Sequence, residues 1–407
     1  MARRALIIGA GITGALTAHR LARAGWGVTV VEARHLGAGS SSRTAAGIRQ
    51  QFSIPETVVG MRYSVDYYRR FTHEVGGATT PIVQNGYLFL HALTEAWETA
   101  RARVAMQRAA GLAEVEALDA RDLVARFPFV DGLTVLGGTF CPSDGFLRPD
   151  VVYAEAMASA VRAGAVLVQN AEVTGCEARQ EGPLDCVQTT RGSFSADIFI
   201  DATNAWSPRL GRLLGASDLP ISPLKRYLWM VERAGSLSGT DLARMPLTIS
   251  PSGAYCRPEN SETLMMGWAH DAQPEPEFSW EDQDRIEPAF FHKTGVESHG
   301  YEAWMSLAEV MPPLGEFAGI TATTSGYYAT TPDHNPFLGF DGFRPNLIRL
   351  AGFSGHGAMF GPFTALIGAA LAEAGRDIGT VEVLGQVVPI TRFSIGRTFG
   401  RGEGMVI

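Results

Sequence analysis

Three glycines near the N-terminus have the spacing of a phosphate-binding turn. Gly9, Gly11 and Gly14 form a GxGxxG pattern within ALIIGAGITGALTAHRLARAGWGVTVVEA. In such a turn the first glycine permits the tight bend, the second lets the backbone approach a pyrophosphate, and the third allows close helix–strand packing. The following helix offers free N–H groups and a partial positive charge to the phosphates. The pattern alone is weak evidence, and its value depends on the surrounding elements.

The elements around this turn indicate a dinucleotide-binding unit. A buried strand is predicted over residues 5–8, a helix over 15–24 closed by Gly25, and a second buried strand over 28–31. Glu32 follows this second strand directly, where a carboxylate can accept both hydroxyl groups of the adenosine ribose. Strand, turn, helix, strand and acid together predict a dinucleotide site.

Two further stretches of small residues help to decide between NAD and FAD as the dinucleotide. The loop RHLGAGSSSRTAAGIRQ follows the acid at residues 34–50, and the glycine-rich turn GFSGHGAMFGP follows a predicted strand at residues 352–362. An NAD dehydrogenase has no evident need for a long loop of this kind. A chain that follows an extended FAD molecule toward its isoalloxazine ring does need one, so the two stretches favour FAD.

These stretches resemble the FAD-dependent glycine oxidase, sarcosine oxidase and D-amino-acid oxidase (DAO) superfamily. The resemblance covers nearly the whole chain and includes DATNAWSPRLGRLLG at residues 201–215 and TPDHNPFLG at residues 331–339. The chain is particularly similar to the β subunit of heterotetrameric sarcosine oxidase and to dimethylglycine and proline dehydrogenases.

The order of elements predicts the fold class. Helix–strand alternation at the start, middle and end of the chain is interrupted by two segments of other character, one with proline-rich turns between short strands. We predict an α/β plus α+β fold: a discontinuous Rossmann-like FAD-binding domain with an inserted substrate domain built on a mainly antiparallel sheet. The predicted boundaries are residues 1–83, 147–222 and 325–390 for the FAD-binding domain, 84–146 and 223–324 for the substrate-binding domain, and 391–407 for a C-terminal tail that is either a docking segment or disordered.

The resemblance implies which residues lie along FAD. Val173 would meet the adenine through its backbone, and the turn at 355–359 would bring N–H groups near the N1–C2=O edge of the flavin, where reduction deposits negative charge. The implied cofactor-binding residues are Gly9, Gly11, Ile12, Thr13, Gly14, Glu32, Ala33, Arg34, Gly39, Ser40, Ser41, Arg43, Thr44, Ala45, Ala46, Gly47, Val173, Ala202, Thr203, Trp206, Gly326, Gly352, Phe353, Ser354, Gly355, His356, Gly357 and Met359.

The resemblance also implies how a substrate is held. D-amino-acid and glycine oxidases bind the substrate carboxylate with an arginine where this chain has Tyr328, whereas Arg49 matches the arginine of the sarcosine-type enzymes. A planar guanidinium suits a carboxylate because it makes two parallel charge-assisted hydrogen bonds. The predicted catalytic residues are Arg49, Tyr255, His270 and Tyr328, and Lys225 and Arg257 are further candidates without a defined role.

The activity implied is oxidation of the C–N bond of an amino acid, most of all a secondary amine such as an N-substituted glycine. A hydride equivalent would pass to flavin N5, and the imine would then be hydrolysed. Two alternatives stay open: a D-amino-acid or glycine oxidase acting on primary amines, and the flavin subunit of a larger amine or proline dehydrogenase. An NAD-dependent dehydrogenase is disfavoured by the two small-residue stretches.

Two features of the sequence bear on the size of the substrate and on the electron acceptor. Aromatic residues of the middle segment (Trp229, Tyr255, Trp268, Phe290 and Phe291) suggest a substrate larger than sarcosine. The lysine that speeds the reaction of reduced flavin with oxygen in monomeric sarcosine oxidases corresponds to Met265 here. The acceptor is therefore oxygen, with another cation such as Lys225 in that role, or a different electron acceptor.

Composition excludes several other classes of function. A net charge of −8 argues against nucleic acid as a partner. No apolar run approaches the ~20 residues of a membrane span. The four cysteines lack the spacing of a metal site, so we predict no metal and a reducing, cytoplasmic location. The sequence leaves an oligomer open.

Two substitutions predict that FAD is bound without a covalent link. Gly326 stands where monomeric sarcosine oxidases carry the tethering cysteine, and Thr44 stands where dimethylglycine dehydrogenases carry the tethering histidine. We therefore expect acid denaturation of the purified protein to leave all of the flavin absorbance in the supernatant. Flavin absorbance in the washed precipitate would show instead that another residue forms a covalent bond to the cofactor.

Overall fold

A computed structural model describes residues 2–178, 182–269, 275–291, 298–400 and 402–405. Its helices are α1 (Ile12–Arg23), α2 (Pro55–Arg69), α3 (Phe71–Val75), α4 (Thr94–Ala109), α5 (Ala120–Arg126), α6 (Pro149–Arg162), α7 (Ser207–Leu214), α8 (Gly239–Arg244), α9 (Trp280–Asp284), α10 (His299–Val310) and α11 (Gly357–Ala374).

The strands of the first half of the chain are β1 (Arg4–Ile8), β2 (Gly27–Val31), β3 (Gly47–Ile48), β4 (Ile82–Val83), β5 (Tyr87–His91), β6 (Glu116–Asp119), β7 (Gly137–Cys141), β8 (Gly145–Leu147), β9 (Val166–Val168), β10 (Val173–Ala178), β11 (Leu184–Thr189), β12 (Gly192–Phe194) and β13 (Ile198–Asp201). Those of the second half are β14 (Ser222–Glu232), β15 (Leu247–Ile249), β16 (Tyr255–Pro258), β17 (Thr263–Gly267), β18 (Gly319–Thr330), β19 (Phe337–Phe340), β20 (Leu347–Ala351), β21 (Thr380–Val383) and β22 (Gln386–Pro389).

The apolar N-terminal strand lies inside a mostly parallel sheet. The strand order is β19-β20-β13-β1-β2-β9, and only the edge strand β19 runs antiparallel to its neighbour. Helices α1, α6 and α11 contribute to the core on one face, whereas α7 and the small β10–β12 sheet contribute to the core on the other. Both faces are covered, which explains why β1 and β2 are apolar almost throughout rather than alternating.

A second, larger sheet has the order β18-β14-β17-β16-β15-β5-β7-β6. Its pairs are antiparallel except for β15 with β5. One face packs on α10, with Trp229 and Trp304 among the buried side chains, and the other face carries Leu228, Tyr255 and Met265. This arrangement confirms the predicted fold class.

The domain boundaries stay a prediction, and two strands run through them. Strand β18 continues past residue 325 to Thr330, and β8 spans the predicted boundary between residues 146 and 147. Strand β14 extends through the charged pair Lys225 and Arg226 as well as the apolar residues 227–231.

Helix α11 begins at Gly357, although proline ordinarily marks the first turn of a helix and Pro362 comes five residues later. Inside the helix, Pro362 cannot donate a hydrogen bond to the carbonyl of Ala358. The Tyr68 hydroxyl donates to that carbonyl instead, at 2.7 Å. Tyr68 therefore allows the helix to start at Gly357. Helix α11 has the length and apolar composition of a membrane span, but most of its residues are buried in this core, as in a core helix.

The described part of the C-terminal tail packs against the rest of the chain. The Arg397 guanidinium lies 2.8 Å from the Asp333 carboxylate. The N–H of Glu403 donates to the Asp333 carbonyl, and the Glu403 side chain is 3% exposed. The TPDHNP turn at residues 331–336 thus holds the tail in place.

A fully buried ion network joins the parallel sheet to α7. Arg349 of β20 lies 2.8 Å from Asp201 of β13 and 3.2 Å from Asp341, and all three side chains are inaccessible. Arg349 also donates to the hydroxyl of Ser207, the first residue of α7, at 2.7 Å. The network holds the carboxyl ends of β13 and β20 side by side.

Replacing Arg349 by methionine would leave two buried carboxylates without their cation. Because removing one partner of a buried pair costs about 3–5 kcal/mol, we expect R349M to lower the free energy of unfolding by that amount in urea titrations followed by circular dichroism. The control R121M removes an arginine that is 93% exposed. An R349M midpoint equal to that of R121M would show that the network does not stabilise the fold.

Candidate active site

Three turns meet at one edge of the parallel sheet because parallel strands end on the same side. They follow β1, β13 and β20 and lie at residues 9–14, 202–206 and 352–357. Together with the loop after β2 they line one elongated channel. The predicted residues that line it are Gly9, Gly11, Ile12, Thr13, Glu32, Ala33, Gly39, Ser40, Ser41, Arg43, Thr44, Val173, Ala202, Thr203, Trp206, Tyr328, Phe353, Gly355 and Gly357.

The first turn has the geometry of a phosphate-binding turn. Gly9 has φ +102°, and a Cβ on Gly14 would lie 2.0 Å from the Gly9 carbonyl oxygen. Gly14 is therefore a packing residue that lets α1 approach β1. A Cβ on Gly11 would lie 2.8 Å from the Ser41 hydroxyl, so this glycine keeps the space between the turn and the serine loop open.

The Glu32 carboxylate is buried at one end of the channel. One oxygen accepts from the Ala10 N–H at 2.8 Å and the other from the Arg34 N–H at 3.0 Å. A carboxylate offers about four acceptor sites, so acceptor capacity remains for a ribose hydroxyl. Burial raises the pKa of Glu32, and hydrogen bonds from the backbone N–H groups of Arg34, Ala10 and Ala33 act in the opposite direction.

The glycine-rich turn at 352–357 is held in an unusual backbone conformation. Gly352, Ser354 and Gly355 have φ values of +81°, +49° and +88°. The side-chain oxygen of Asn204 accepts from the N–H of Gly352 at 3.1 Å and from that of Phe353 at 3.3 Å. The turn ends at the N-terminus of α11, whose partial positive charge suits a cofactor edge that becomes negative. These features fit FAD.

A smaller cavity adjoins the channel and shares part of its wall. The residues common to both are Thr44, Tyr328, Gly355 and Ala358. The rest of the cavity is lined by Ala45, Ala46, Gly47, Tyr87, Leu247, Tyr255, Ser354, His356 and Met359. Burial raises the pKa of Tyr255 and of Tyr87 far above neutrality, so both phenols are uncharged.

Arg49 lies behind the wall of this cavity rather than on it. Its side chain is 0% exposed, and one guanidinium nitrogen donates to the Gln51 carbonyl at 3.2 Å. Another nitrogen lies 3.1 Å from His356 Nε2 and donates to the Met405 carbonyl of the tail. Burial and the charge of Arg49 hold the pKa of His356 well below its usual range, so this imidazole is neutral.

Alternation along β14 separates two neighbouring cations. Lys225 is 1% exposed and its ammonium lies 3.2 Å from Asp282, on the face that carries Tyr227 and Trp229. Arg226 points to the opposite face, with its Cζ 5.5 Å from the ring centre of Tyr328. Lys225 therefore leaves the sheet on the face opposite Arg226 and does not line the cavity.

The same alternation corrects the predicted aromatic lining. Trp229 and Phe290 are buried in the α10 layer, where the indole N–H donates to the Phe290 carbonyl at 2.9 Å. Trp268 packs against that layer too, and Phe291 is partly exposed. Of this predicted set only Tyr255 lines the cavity, so the set does not indicate a large substrate.

The remaining predicted residues take other places. Arg34 covers Trp280, and Gly326 packs against Arg43, so neither lines the channel or the cavity. Arg257 donates to the Ala45 carbonyl at 2.6 Å and stabilises the serine-rich loop. His270 lies outside the described residues. Among the described residues, no group of three metal-binding side chains is close enough to hold an ion.

No pattern in the sequence predicts several of the residues that lie at the site. Tyr87 and Leu247 belong to β5 and β15, and they reach the cavity through the parallel pairing of those two distant strands. Asp144 is buried beside the Arg49 loop and accepts from the Gln50 N–H and from the side-chain amides of Gln50 and Gln51. These contacts depend on the fold alone.

Asp144 makes the stability of this region depend on pH. Burial raises its pKa from 3.8 to about 7, against the effect of the Gln50 and Gln51 hydrogen bonds. Between these two pKa values the Asp144 carboxyl group keeps its proton in the folded chain but has lost it in the unfolded chain. The stabilising contribution is therefore complete below about pH 4 and is lost as the pH rises through 7.

We expect the melting temperature of D144N relative to the wild type to rise as the pH increases from 4 to 8, as measured by differential scanning calorimetry. The control D185N changes an exposed carboxylate on β11. A difference between D144N and wild type that does not change with pH would contradict the raised pKa.

Comparison with known proteins identifies the family of this chain. The model of the family "DAO: FAD dependent oxidoreductase" matches residues 4–371. Glycine oxidase of Geobacillus kaustophilus (strain HTA426) is 26% identical over 90% of this chain and 92% of that protein. Mitochondrial sarcosine dehydrogenase of Mus musculus is 23% identical over 88% of this chain, which spans only 38% of that relative.

A solved structure shows the same fold over almost its whole length. The crystal structure of L-proline dehydrogenase from P. horikoshii matches with a TM-score of 0.82 and 26% identity, covering 97% of this chain and 96% of that chain. These findings confirm the predicted family and FAD as the cofactor. The chain belongs to the DAO family of FAD-dependent oxidoreductases and is an FAD-dependent enzyme.

Proposed function

We propose that this enzyme oxidises a small N-substituted glycine, a secondary amine of the size of sarcosine or slightly larger. The observation that carries the proposal is the small tyrosine-lined cavity that joins the cofactor channel at Tyr328 and Gly355. A substrate in this cavity would lie against the part of the channel that ends at the N-terminus of α11. Leu247 and Met359 give the cavity apolar surface for an N-alkyl group.

The preference for a secondary amine is supported by Tyr328 and by the relatives. Tyr328 stands where enzymes for primary amines carry a carboxylate-binding arginine, and it is hydrogen-bonded to Tyr255. Two relatives are named for secondary amines, sarcosine and proline. Another relative, matched over 92% of its length, is named glycine oxidase, so primary amines remain the competing substrate class.

The substrate carboxylate needs a cation, and two arginines lie near the cavity. Arg49 remains our proposed anchor: no carboxylate of the described residues pairs with it, and it contacts the cavity wall at His356 and Tyr87. The substrate would then replace the Met405 carbonyl on the guanidinium. Arg226, beside Tyr328 on the cavity side of β14, is the other candidate.

The cavity selects the uncharged amine. FAD, when bound, supplies the acceptor for the hydride equivalent that leaves the carbon next to nitrogen. Loss of hydride needs the nitrogen lone pair, which an ammonium lacks. The neutral phenols of Tyr87 and Tyr255 and the neutral imidazole of His356 give an ammonium ion no anionic partner in the cavity wall. Burial without a partner therefore favours the neutral form of the substrate.

Among the residues that the structure describes, no lysine lines the cavity, and this also supports an electron acceptor other than oxygen. A cation beside the flavin would stabilise the negative charge that develops on oxygen as it is reduced. The Lys225 ammonium is held by Asp282 on the far side of the sheet, and Met265 occupies the cavity side. We propose that the enzyme is a dehydrogenase, which passes its electrons to an acceptor other than oxygen.

The substrate class is tested by anaerobic titration of the purified enzyme, followed through the flavin absorbance. We expect N-methylglycine and N-ethylglycine to bleach the oxidised band and glycine and D-alanine to bleach it much more slowly. The opposite order would move the assignment to primary amines. A flavin that no compound bleaches would point to a missing subunit.

The carboxylate anchor is tested in the same titration with R49K and R226K. A lysine keeps the charge but loses the paired hydrogen bonds, so we expect R49K to weaken N-methylglycine binding by about tenfold or more. The exposed R121K is the matched control. A tenfold weakening in R226K with R49K unchanged would transfer the role to Arg226.

A further inference from the structure

A five-residue helix of the second half of the chain covers the cofactor channel. Helix α9 begins after Ser279, whose hydroxyl accepts from the Asp282 N–H at 2.9 Å. Its first residue, Trp280, lines the channel together with Trp206 and Glu32. The glycine-rich and serine-rich motifs of the sequence do not predict this helix.

Trp280 completes an aromatic wall of the channel. Its ring stacks on Trp206 with centroids 4.4 Å apart and 21° between the planes. Phe278 lies on Trp206 as well, at 4.5 Å. The Arg34 guanidinium covers Trp280, with its Cζ 4.7 Å from the ring centre. Since Arg34 follows Glu32 by two residues, the wall lies at the end of the channel where the adenosine ribose is expected.

The other residues of α9 attach the helix to the loop that runs along the channel. Asp284 lies 3.1 Å from Arg43 Nε, and Glu281 lies 3.6 Å from the Arg34 guanidinium. The Gln283 side-chain amide donates to the Ala38 carbonyl at 3.3 Å. All three contacts bridge from α9 to residues 34–43.

On its other side α9 is attached to the large sheet. The Asp282 carboxylate pairs with Lys225 of β14 and accepts from the Tyr327 hydroxyl of β18. The Ser325 hydroxyl donates to the Gln283 carbonyl at 2.6 Å. The contacts to the sheet are buried, whereas Glu281 and Asp284 of the channel side are largely exposed.

We propose that Trp280 is an FAD-binding residue and that α9 is a latch, which must lift from residues 34–43 for FAD to enter or leave. The buried contacts to the sheet keep one side of α9 in place, while the exposed ion pairs and the hydrogen bond from Gln283 to Ala38 open on the channel side. The latch connects the large sheet to the end of the channel where the adenosine of the cofactor is expected. This inference concerns the cofactor alone and does not depend on the substrate.

The first test is the rate of FAD release from the W280A holoenzyme after rapid dilution, followed by flavin fluorescence. Since stacking on an aromatic side chain contributes about 1–3 kcal/mol, we expect release to accelerate and the FAD dissociation constant to rise by about tenfold to a hundredfold. The control W97A removes a tryptophan of α4 that does not line the channel. Release from W280A at the wild-type rate would overturn the role of Trp280.

The second test addresses the latch without changing the aromatic wall. The double variant E281Q/D284N removes the two exposed carboxylates that face Arg34 and Arg43, and it tests the latch even if W280A does not fold. We expect its FAD release at low salt to be several-fold faster than in the wild type, and to depend less on salt, because exposed ion pairs are screened by salt. Unchanged or slower release would overturn the latch.

Discussion

Parallel pairing of β1, β13 and β20 is the constraint on which the rest of the structure depends. Because these strands run in the same direction, the turns that follow them meet at one edge. Helices α1 and α11 therefore begin at the same channel, and both N-termini face it. The buried Arg349 network holds together the ends of β13 and β20, from which two of the channel turns begin.

The large, mainly antiparallel sheet contributes side chains to the cavity, and the alternation of side chains along β14 decides which ones. Residues of β14 leave the sheet on opposite faces in turn, so Arg226 and Leu228 face the cavity while Lys225 and Trp229 face the α10 layer. The buried Lys225–Asp282 pair then acts at a distance from the cavity. It fixes α9 to the sheet, and through α9 the sheet reaches the channel.

The C-terminal tail is part of the site rather than an appendage. Arg397 and Glu403 attach it to the TPDHNP turn and to Ser53, and the carbonyl of Met405 accepts from Arg49. The tail thus occupies a hydrogen-bonding position on the arginine proposed to hold the substrate carboxylate. A ligand of Arg49 must therefore compete with a backbone carbonyl. A carboxylate can do so because it accepts two charge-assisted hydrogen bonds from a guanidinium, and these are stronger than a hydrogen bond to a neutral carbonyl.

The sequence by itself determined the cofactor unit. Glycine spacing, a short buried strand and the acid after β2 all act within about 30 residues, so their geometry is set by local backbone rules. The glycine-rich turn before α11 could also be predicted from the sequence. The first residue of α11 could not, because it depends on the hydroxyl of Tyr68 from α2.

Only the tertiary structure decided which side chains share the cavity. Tyr87 meets Tyr255 because β5 pairs beside β15, Arg226 rather than Lys225 faces them because of the strand register, and Trp280 stacks on Trp206 because α9 folds back over the channel. In each case the contact joins residues far apart in the chain. Its free energy comes from packing that no local pattern of residue types records.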